Sequence, residues 1–478
     1  MSLGIPDDIG ALPEFRPRAG WALFFALLAF YAATQQRSNW DFGWDGYCRF
    51  VMMETVLKTG RAQVMGIPGF YPMFHAGASV AMLPLYLVGE TVDRWAGRPE
   101  IDYGREFCFN FFTIVTAAGA VLFARILERL GVGARKAAVS AVIYAVGTMA
   151  WPYAGEMQTE PLVACCLLAV FEAMLAYRDD GQGRWMTRAG LASALAILTR
   201  PESVVPLAPL FVYGWLAGRE SRSRASRGDT LWLLALTSLG PLGVLGWNWL
   251  RFGSPWDSGY AIEGQDVRFS TPLAIGLFGQ LFSSGKGALW HNPVLILAML
   301  GWPAWTRARR LEAWTCGVAI ALTVGLYAKF WNWAGDASWG PRYMLIPLPF
   351  AMLPLAYVDW SGWGRFARGL AVAVLAVSVW IQVLGAFVPI RQDYAYKSDP
   401  AIRRMEVALK IADDNDVLVH YIPDYSPLLL HADRFQGLRT SLRWFPYDST
   451  NGRRIHPMGI GWIGLLVIAS RRAYRRIT

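Results

Sequence analysis

The feature that most constrains this chain is a series of uncharged apolar stretches, each about 20 residues long. A bilayer core about 30 Å thick is crossed by about 20 helical residues, and within lipid every backbone polar group must be hydrogen-bonded internally. We therefore predict transmembrane helices in these stretches. They include Ala19–Gln36, Phe107–Ala124, Ala137–Gly155, Leu231–Leu250, Gly287–Thr306, Tyr343–Val358 and Gly369–Ile390.

The composition and the placement of positive charge agree with an all-α polytopic membrane protein. Hydrophobic residues make up 54% of the 478 residues and charged residues only 17%. The net charge of +10 is spread over short basic clusters between the apolar stretches, which is typical of cytoplasmic loops and argues against nucleic-acid binding. The clusters are Arg16 and Arg18, Arg125 to Lys136, Arg178 to Arg188, Arg219 to Arg227, Arg307 to Arg310, Arg365 and Arg368, and Arg471 to Arg476.

If every basic cluster faces the cytoplasm, an even number of crossings separates each neighbouring pair, and about 12 helices satisfy this condition. Two segments then need special placement. Gly69–Gly89 is predicted to lie on the outer membrane surface, and Ala189–Gly218 to form a hairpin that turns at Arg200–Glu202. Pro457–Ser470 is the predicted last crossing, and the first apolar stretch is interpreted as a retained helix rather than a cleaved signal peptide.

This topology divides the chain into three parts. Residues 1–390 form the main transmembrane region, whose first outer loop is 37–106. Residues 391–455 form a small cap on the outer face, and 456–478 contain the last helix and a basic cytoplasmic tail. The outer segments carry most of the acidic residues and have all five histidines within them or at their boundaries, so we expect the chemistry on the extracytoplasmic face.

The first outer loop places two carboxylates, Asp41 and Asp45, among the aromatic residues of 40–50. Aromatic surroundings exclude water, which favours a carboxylate that can accept a proton near neutral pH as a general base. An interfacial aromatic belt with one aspartate capping the following helix explains the same residues without chemistry.

Short polar motifs recur at the predicted outer ends of the helices. They are Asp45 with Tyr47, the Gly-Phe-Tyr-Pro-Met-Phe-His-Ala-Gly run of 69–77 followed by Leu-Pro-Leu-Tyr at 83–86, Glu160-Pro161, Leu-Thr-Arg-Pro-Glu at 198–202, Arg-Phe-Gly-Ser-Pro at 251–255, Ser-Gly-Lys-Gly at 284–287 with Asn292-Pro293, and Trp-Gly-Pro-Arg-Tyr at 339–343. In this order they resemble the C-type glycosyltransferase (GT-C) superfamily, notably the aminoarabinose transferases of lipid A and the protein O-mannosyltransferases.

The resemblance implies a GT-C-like membrane fold and transfer of a sugar from a polyprenyl-phosphate donor to a cell-envelope lipid, polysaccharide or protein. It implies an acidic base in the first outer loop, where Asp45 matches best. These enzymes usually show adjacent Asp-Glu there, whereas this chain has Asp45-Gly46 with Asp41 four residues earlier, so both aspartates are candidates.

A leaving phosphate needs fixed positive charge. Lys286 and Arg342 are the leading candidates and Arg251 the third, although basic residues at helix ends also snorkel to the interface. Candidate substrate-binding residues are Glu156, Glu160, Arg200, Glu202, Tyr47, His75, Trp333, Asp336 and Tyr343. Arg200 and Glu202 could merely pair with each other, and Trp333 could belong to an aromatic belt.

The sequence predicts no cofactor. His75 and His291 could contact phosphate or a divalent cation, but no metal-ligand spacing supports a metal site. Cys48 and Cys108 could pair in an oxidising compartment, which spacing alone does not decide.

Two other classes of protein fit the hydrophobic pattern. A transporter or lipid flippase also has many helices with charges among them, but the chain shows no two-fold hydropathy symmetry. A non-catalytic accessory subunit with the same fold is the second alternative. The basic residues are mostly arginine, a bias typical of GC-rich bacterial genomes, so we expect a bacterial inner-membrane protein.

Overall fold

The computed structural model describes residues 17–35, 43–62, 72–97, 102–220, 227–260, 269–335, 338–388, 400–401, 404–405 and 418–435. Within these residues the chain is helical and contains no β-strand, as predicted. Asp41, Asp336 and the predicted crossing Pro457–Ser470 lie outside the described residues.

The first five helices include a group of three that packs together. Their bounds are α1 Pro17–Ala33, α2 Gly43–Thr59, α3 Gly77–Ala96, α4 Tyr103–Phe109 and α5 Phe111–Arg129. α2, α3 and α4 bury a shared apolar cluster that contains Met52, Met82 and Cys108. Cys48 and Cys108 are both buried, and the disulfide left open by the sequence is absent between these two described residues.

Six helices follow in the middle of the chain. Their bounds are α6 Ala134–Gly147, α7 Ala150–Ala154, α8 Glu160–Asp180, α9 Arg184–Thr199, α10 Val204–Glu220 and α11 Arg227–Phe252. The predicted break between α9 and α10 is present, because Arg200 is extended before Pro201 and a 3-10 turn spans Pro201–Ser203.

The remaining helices are α12 Leu273–Phe282, α13 Ala288–His291, α14 Val294–Ala308, α15 Arg310–Lys329, α16 Leu348–Met352, α17 Arg365–Phe387 and α18 Pro427–Arg434. Further 3-10 turns span Arg342–Leu345, Leu353–Tyr357, Leu418–Tyr421 and Pro423–Tyr425.

Among the described residues, five helical segments are long and apolar enough to cross a membrane. They are Tyr103–Arg129, Glu160–Asp180, Arg227–Phe252, Arg310–Lys329 and Arg365–Phe387. Shorter apolar helices lie at Ala19–Ala33, Leu273–Phe282, Val294–Ala308 and Leu348–Tyr357. The chain is a multi-pass membrane protein, and the number of about 12 crossings stays a prediction.

Small residues allow the helices to pack closely. α8 is the most enclosed of the long apolar helices and contacts α5, α9 and α10. α9 and α11 approach so closely that a Cβ on Gly240 would lie 2.8 Å from the carbonyl oxygen of Ala194. Since lipid supplies no hydrophobic drive between helices, contacts of this kind supply the packing energy.

Ion pairs gather at one end of the bundle, which we call the basic end. Arg125, Arg129 and Arg188 contact the carboxylate of the fully buried Glu172 at 3.0, 2.9 and 3.2 Å. Arg309 donates to the carbonyl of Leu130 at 3.0 Å, so the loop after α14 reaches the same end. Three of the predicted basic clusters therefore lie together.

Candidate functional site

Charged side chains also meet at the opposite end of the bundle. A helical rise of about 1.5 Å per residue places Glu160, at the start of α8, about 18 Å from Glu172. Six of the charged side chains form an alternating series that we call the charge row. Its members, in spatial order, are Glu202, Arg200, Glu160, Arg342, Asp45 and Arg49. Arg200, Glu202 and Arg342 stand in breaks between helices, and Asp45 and Arg49 lie in the first two turns of α2. Glu160 begins α8 and meets Arg200 after the end of α9, because these two consecutive helices run antiparallel.

The contacts of the charge row are tighter on one side than on the other. Arg200 contacts Glu202 at 2.9 Å and Glu160 at 2.8 Å. Arg342 contacts the same Glu160 oxygen at 3.6 Å and Asp45 at 3.4 Å, and Arg49 contacts Asp45 at 3.8 Å. Alternation gives each inner member two partners of opposite sign, which offsets the cost of removing these charges from water.

Burial separates the acids of the row. Glu160 has no exposed side-chain area, whereas the side chain of Asp45 is 27% exposed and that of Glu202 33%. The second oxygen of Glu160 accepts no hydrogen bond from any described residue. Burial alone would raise the pKa of Glu202, but Arg200 and the hydroxyl of Tyr327 hold it below its ordinary value. Asp45 is therefore partly exposed and makes two long contacts with arginines.

Two stacked tyrosines support the arginines. The rings of Tyr327 and Tyr343 are parallel, with centroids 4.3 Å apart. The guanidinium groups of Arg200 and Arg342 each lie 5.2 Å from the centroid of Tyr343, within the range of cation–π attraction. Tyr343, a predicted substrate-binding residue, is thus buried beneath both arginines.

Arg342 is held in place from further directions. It donates to the side-chain carbonyl of Gln158 at 3.2 Å and to the hydroxyl of Tyr343 at 3.4 Å. Gly335 has φ of 71°, and a Cβ there would lie 2.8 Å from Cγ of Arg342. This close approach requires glycine.

Lys286 lies in the loop between α12 and α13 and is almost fully buried. Its Nζ donates to the carbonyl and the hydroxyl of Ser338 at 2.7 and 2.9 Å. Glu156, between α7 and α8, senses the charges of Arg342, Glu160 and Lys286. Burial raises the pKa of Glu156 to about 7, while Arg342 and Lys286 act in the opposite direction. Glu156 therefore connects Lys286 electrostatically to the charge row.

Arg251 stands apart from the charge row. Its guanidinium donates to the backbone carbonyls of Pro72 and Phe74 and to the side chain of Asn248. These bonds fix the segment that precedes α3. His75, in that segment, is half-buried, and burial lowers its pKa to about 4, so it is neutral at physiological pH.

The other described candidates lie outside the charge row. Tyr47 is half-buried in α2 and packs against the apolar cluster of α2, α3 and α4. Trp333 is only 1% exposed and packs against His420 and Tyr421, so it presents no open ring surface for a sugar in this structure.

Sequence reasoning gave no role to Arg49, Gln158 or Tyr327, which all contact the charge row. Arg49 could have been found, because it stands four residues after Asp45 on a helix, the spacing at which side chains meet. Gln158 and Tyr327 carry no comparable signal. The described ranges contain no group of three or more His, Cys, Asp or Glu residues that could hold a metal ion.

Comparison with known proteins bears on this site. The family model described as dolichyl-phosphate-mannose-protein mannosyltransferase matches residues 103–247, less than half of the chain. No curated protein matches the sequence.

Among solved structures, ArnT from Cupriavidus metallidurans bound to undecaprenyl phosphate is 14% identical. The match covers 96% of this chain and 78% of that chain, with a TM-score of 0.50. The Archaeoglobus fulgidus oligosaccharyltransferase, in complex with Zn and sulfate, is 15% identical over 85% of this chain and 58% of that chain, with a TM-score of 0.46.

The likeness to ArnT shows a shared helical fold. Together with the family match, it confirms the resemblance to the GT-C superfamily that the motifs indicate. The matched residues 103–247 include Glu160, Arg200 and Glu202, so part of the charge row lies within the family region.

Proposed function

We propose that this protein is a membrane glycosyltransferase that moves a sugar from a polyprenyl-phosphate donor to a cell-envelope acceptor. The observation that carries the proposal is that Asp45, in the charge row, has a partly exposed carboxylate 3.4 Å from Arg342. The description of the matching family and the undecaprenyl phosphate bound to ArnT support a polyprenyl-phosphate donor.

In the proposed reaction, Asp45 accepts the proton of the acceptor's nucleophilic hydroxyl or amine. The nucleophile forms a bond to the anomeric carbon, and the bond from that carbon to the phosphate oxygen breaks. Polyprenyl phosphate leaves with the electron pair, and the fixed charges of Arg342 and Lys286 stabilise it. The contacts of Asp45, at 3.4 and 3.8 Å, exceed the usual 2.7–2.9 Å of a tight ion pair, so its release to a substrate costs little.

The remaining residues are proposed to shape the site around the sugar. Glu160 keeps one buried oxygen without a described hydrogen-bond donor, and it would accept from a sugar hydroxyl. Glu156 would bind sugar hydroxyls beside the phosphate. Arg200 and Glu202 would hold the other members of the charge row in position. Arg251 would act through the segment that carries His75 rather than on the phosphate itself. Asp41 stays a second candidate for the base.

The orientation is part of the proposal. Arg125, Arg129, Arg178 and Arg188 lie at the basic end, and the positive-inside rule assigns that end to the cytoplasm. The charge row would then face the extracytoplasmic side of a bacterial inner membrane, where envelope acceptors are found.

Replacement of the base tests the proposal. Asp45→Asn keeps the size and polarity of the side chain but removes proton acceptance, so transfer by the purified protein in nanodiscs should fall by about 100-fold to 10,000-fold. Asp359→Asn is the matched control, because Asp359 is exposed and bonds only to nearby Ser361 among the described residues. Full activity of Asp45→Asn would remove Asp45 from the mechanism.

A further inference from the structure

The described segment 418–435, which falls within the predicted cap, packs on the loop that carries Lys286. The backbone N–H of Gly285 donates to the carbonyl of His420 at 2.9 Å, and the hydroxyl of Ser284 donates to the same carbonyl at 3.2 Å. The hydroxyl of Ser426 donates to the carbonyl of Ser284 at 2.7 Å. Both residues before Lys286 are therefore bonded to segment 418–435.

These contacts are buried rather than superficial. His420 is 3% exposed and Ser426 is 4% exposed. A Cβ on Gly285 would lie 2.9 Å from Cα of His420, so the two backbones are in direct contact. Tyr421 donates to the carbonyl of Ile275 at 3.0 Å and stacks on Phe278, which fixes the same segment to α12.

Segment 418–435 also supports the group that Lys286 touches. Nζ of Lys286 bonds to Ser338, and the next residue, Trp339, packs against His431 with ring centroids 4.6 Å apart. His431 is fully buried in α18 and its Nδ1 lies 3.1 Å from the carbonyl of Leu384 in α17. Both sides of the contact between Lys286 and Ser338 thus rest on segment 418–435.

A fixed loop matters because lysine is a point charge on a flexible stem. The hydrogen bonds within the loop, from the Lys286 N–H to the Ser283 hydroxyl and from the Gly287 N–H to the Ser283 carbonyl, shape the turn. The bonds from segment 418–435 to Ser284 and Gly285 tie the loop to a second part of the chain, which is itself held by α12 and α17.

We propose that segment 418–435 is a clamp that positions Lys286 for the donor phosphate, with Ser426 and the backbone of His420 as its positioning groups. This inference rests on the proposed function, because it assigns Lys286 to the phosphate. It gives the small cap a defined task in donor binding.

The test measures the affinity of the purified full chain in nanodiscs for undecaprenyl phosphate. Ser426→Ala removes one hydrogen bond, so the Kd should rise about threefold to tenfold. Ser426→Thr restores the hydroxyl and should restore the affinity. Ser238→Ala is the matched control, because Ser238 in α11 is exposed and donates to Ala235 in its own helix. In a Lys286→Ala background, Ser426→Ala should cause no further rise in the Kd, since the effects of residues that act through one group are not additive.

Hydrogen exchange at Gly285 separates this inference from the proposed function. The amide of Gly285 should exchange faster in Ser426→Ala than in wild type, whether or not the protein transfers a sugar. Gly285→Ala should also speed exchange of the amide at position 285. Gly325→Ala, whose added Cβ would meet nothing within 4 Å, should leave that exchange rate unchanged. Unchanged exchange in Ser426→Ala, or an equal loss of affinity in the Lys286→Ala background, would overturn the clamp. Failure of wild type to bind any polyprenyl phosphate would instead contradict the proposed function.

Discussion

Individual side chains in the charge row differ in how tightly their partners hold them. Glu160 and Glu202 receive contacts of 2.8 and 2.9 Å from Arg200, while both contacts of Asp45 exceed 3.3 Å. Tight pairs keep their geometry when a ligand enters, and loose pairs exchange partners. This difference supports Asp45 as the acid that changes partners during a reaction, and the two glutamates as its frame.

Glu156 should make donor affinity depend on pH. Its pKa is about 7, so it is mostly neutral below pH 7 and gains a negative charge above that pH. A diester phosphate keeps its charge over the same range, so repulsion should weaken donor binding as pH rises from 6 to 8. The donor KM of wild type should therefore increase across this range, and that of Glu156→Gln should stay flat. The same slope in both proteins would contradict the assignment.

The residues of the site were predictable in type but not in arrangement. Glu160, Arg200 and Glu202 could be selected because charges at the ends of apolar helices are expensive and need partners. Asp45 could be selected from its aromatic loop and the resemblance, and Arg342 because a leaving phosphate needs fixed positive charge. The pair of Arg200 and Glu202, offered as an alternative by the sequence, is present at 2.9 Å. The rest of the pairing could not be predicted, since nothing in the sequence states that Arg342 stands between Glu160 and Asp45. The partners of Arg251 could not be predicted either, because they include backbone carbonyls, which every residue contains.

At the scale of helices, Glu172 joins three elements at the basic end. Its buried carboxylate contacts Arg125 and Arg129 of α5 and Arg188 of α9. Leaving a buried charge without its partner costs about 3–5 kcal/mol, and the cost is lower here because the arginines left behind are 25–37% exposed. Glu172→Gln should therefore lower the thermal unfolding temperature markedly.

The exposed pair of Arg184 and Asp180, at 3.7 Å, provides the contrast for Glu172. Exposed pairs contribute about 0–1 kcal/mol, so Arg184→Gln should leave the unfolding temperature nearly unchanged. Equal shifts in the two variants, measured in the same detergent, would refute the role of Glu172 as a buried junction.

Helix boundaries were predictable where proline acts locally. Pro201 marks the break between α9 and α10, because the residue before proline disfavours helical geometry. Tyr343–Val358 was predicted as one apolar helix, but it contains a short α16 between 3-10 turns. Hydropathy reports only that such a segment is buried, and prolines at 347, 349 and 354 remove the N–H groups that a continuous helix needs.

For the whole molecule, the placement of charge agrees with a protein that works on one side of a membrane. The ion pairs of the basic end and the charge row occupy opposite ends of α8. An alternating-access transporter would place its polar site near the middle of the bilayer between repeats. The composition predicted a membrane protein, but only contacts between distant segments show that its polar groups separate into two ends.

The most direct test is the fate of the donor when purified wild type in nanodiscs receives polyprenyl-phosphate-linked sugars and an envelope extract from the source cells. Mass spectrometry should detect free polyprenyl phosphate and the sugar on an envelope component, and Asp45→Asn should suppress both products. Intact donor with every sugar tested, combined with movement of the uncleaved donor across liposome membranes, would contradict a glycosyltransferase and identify a transporter.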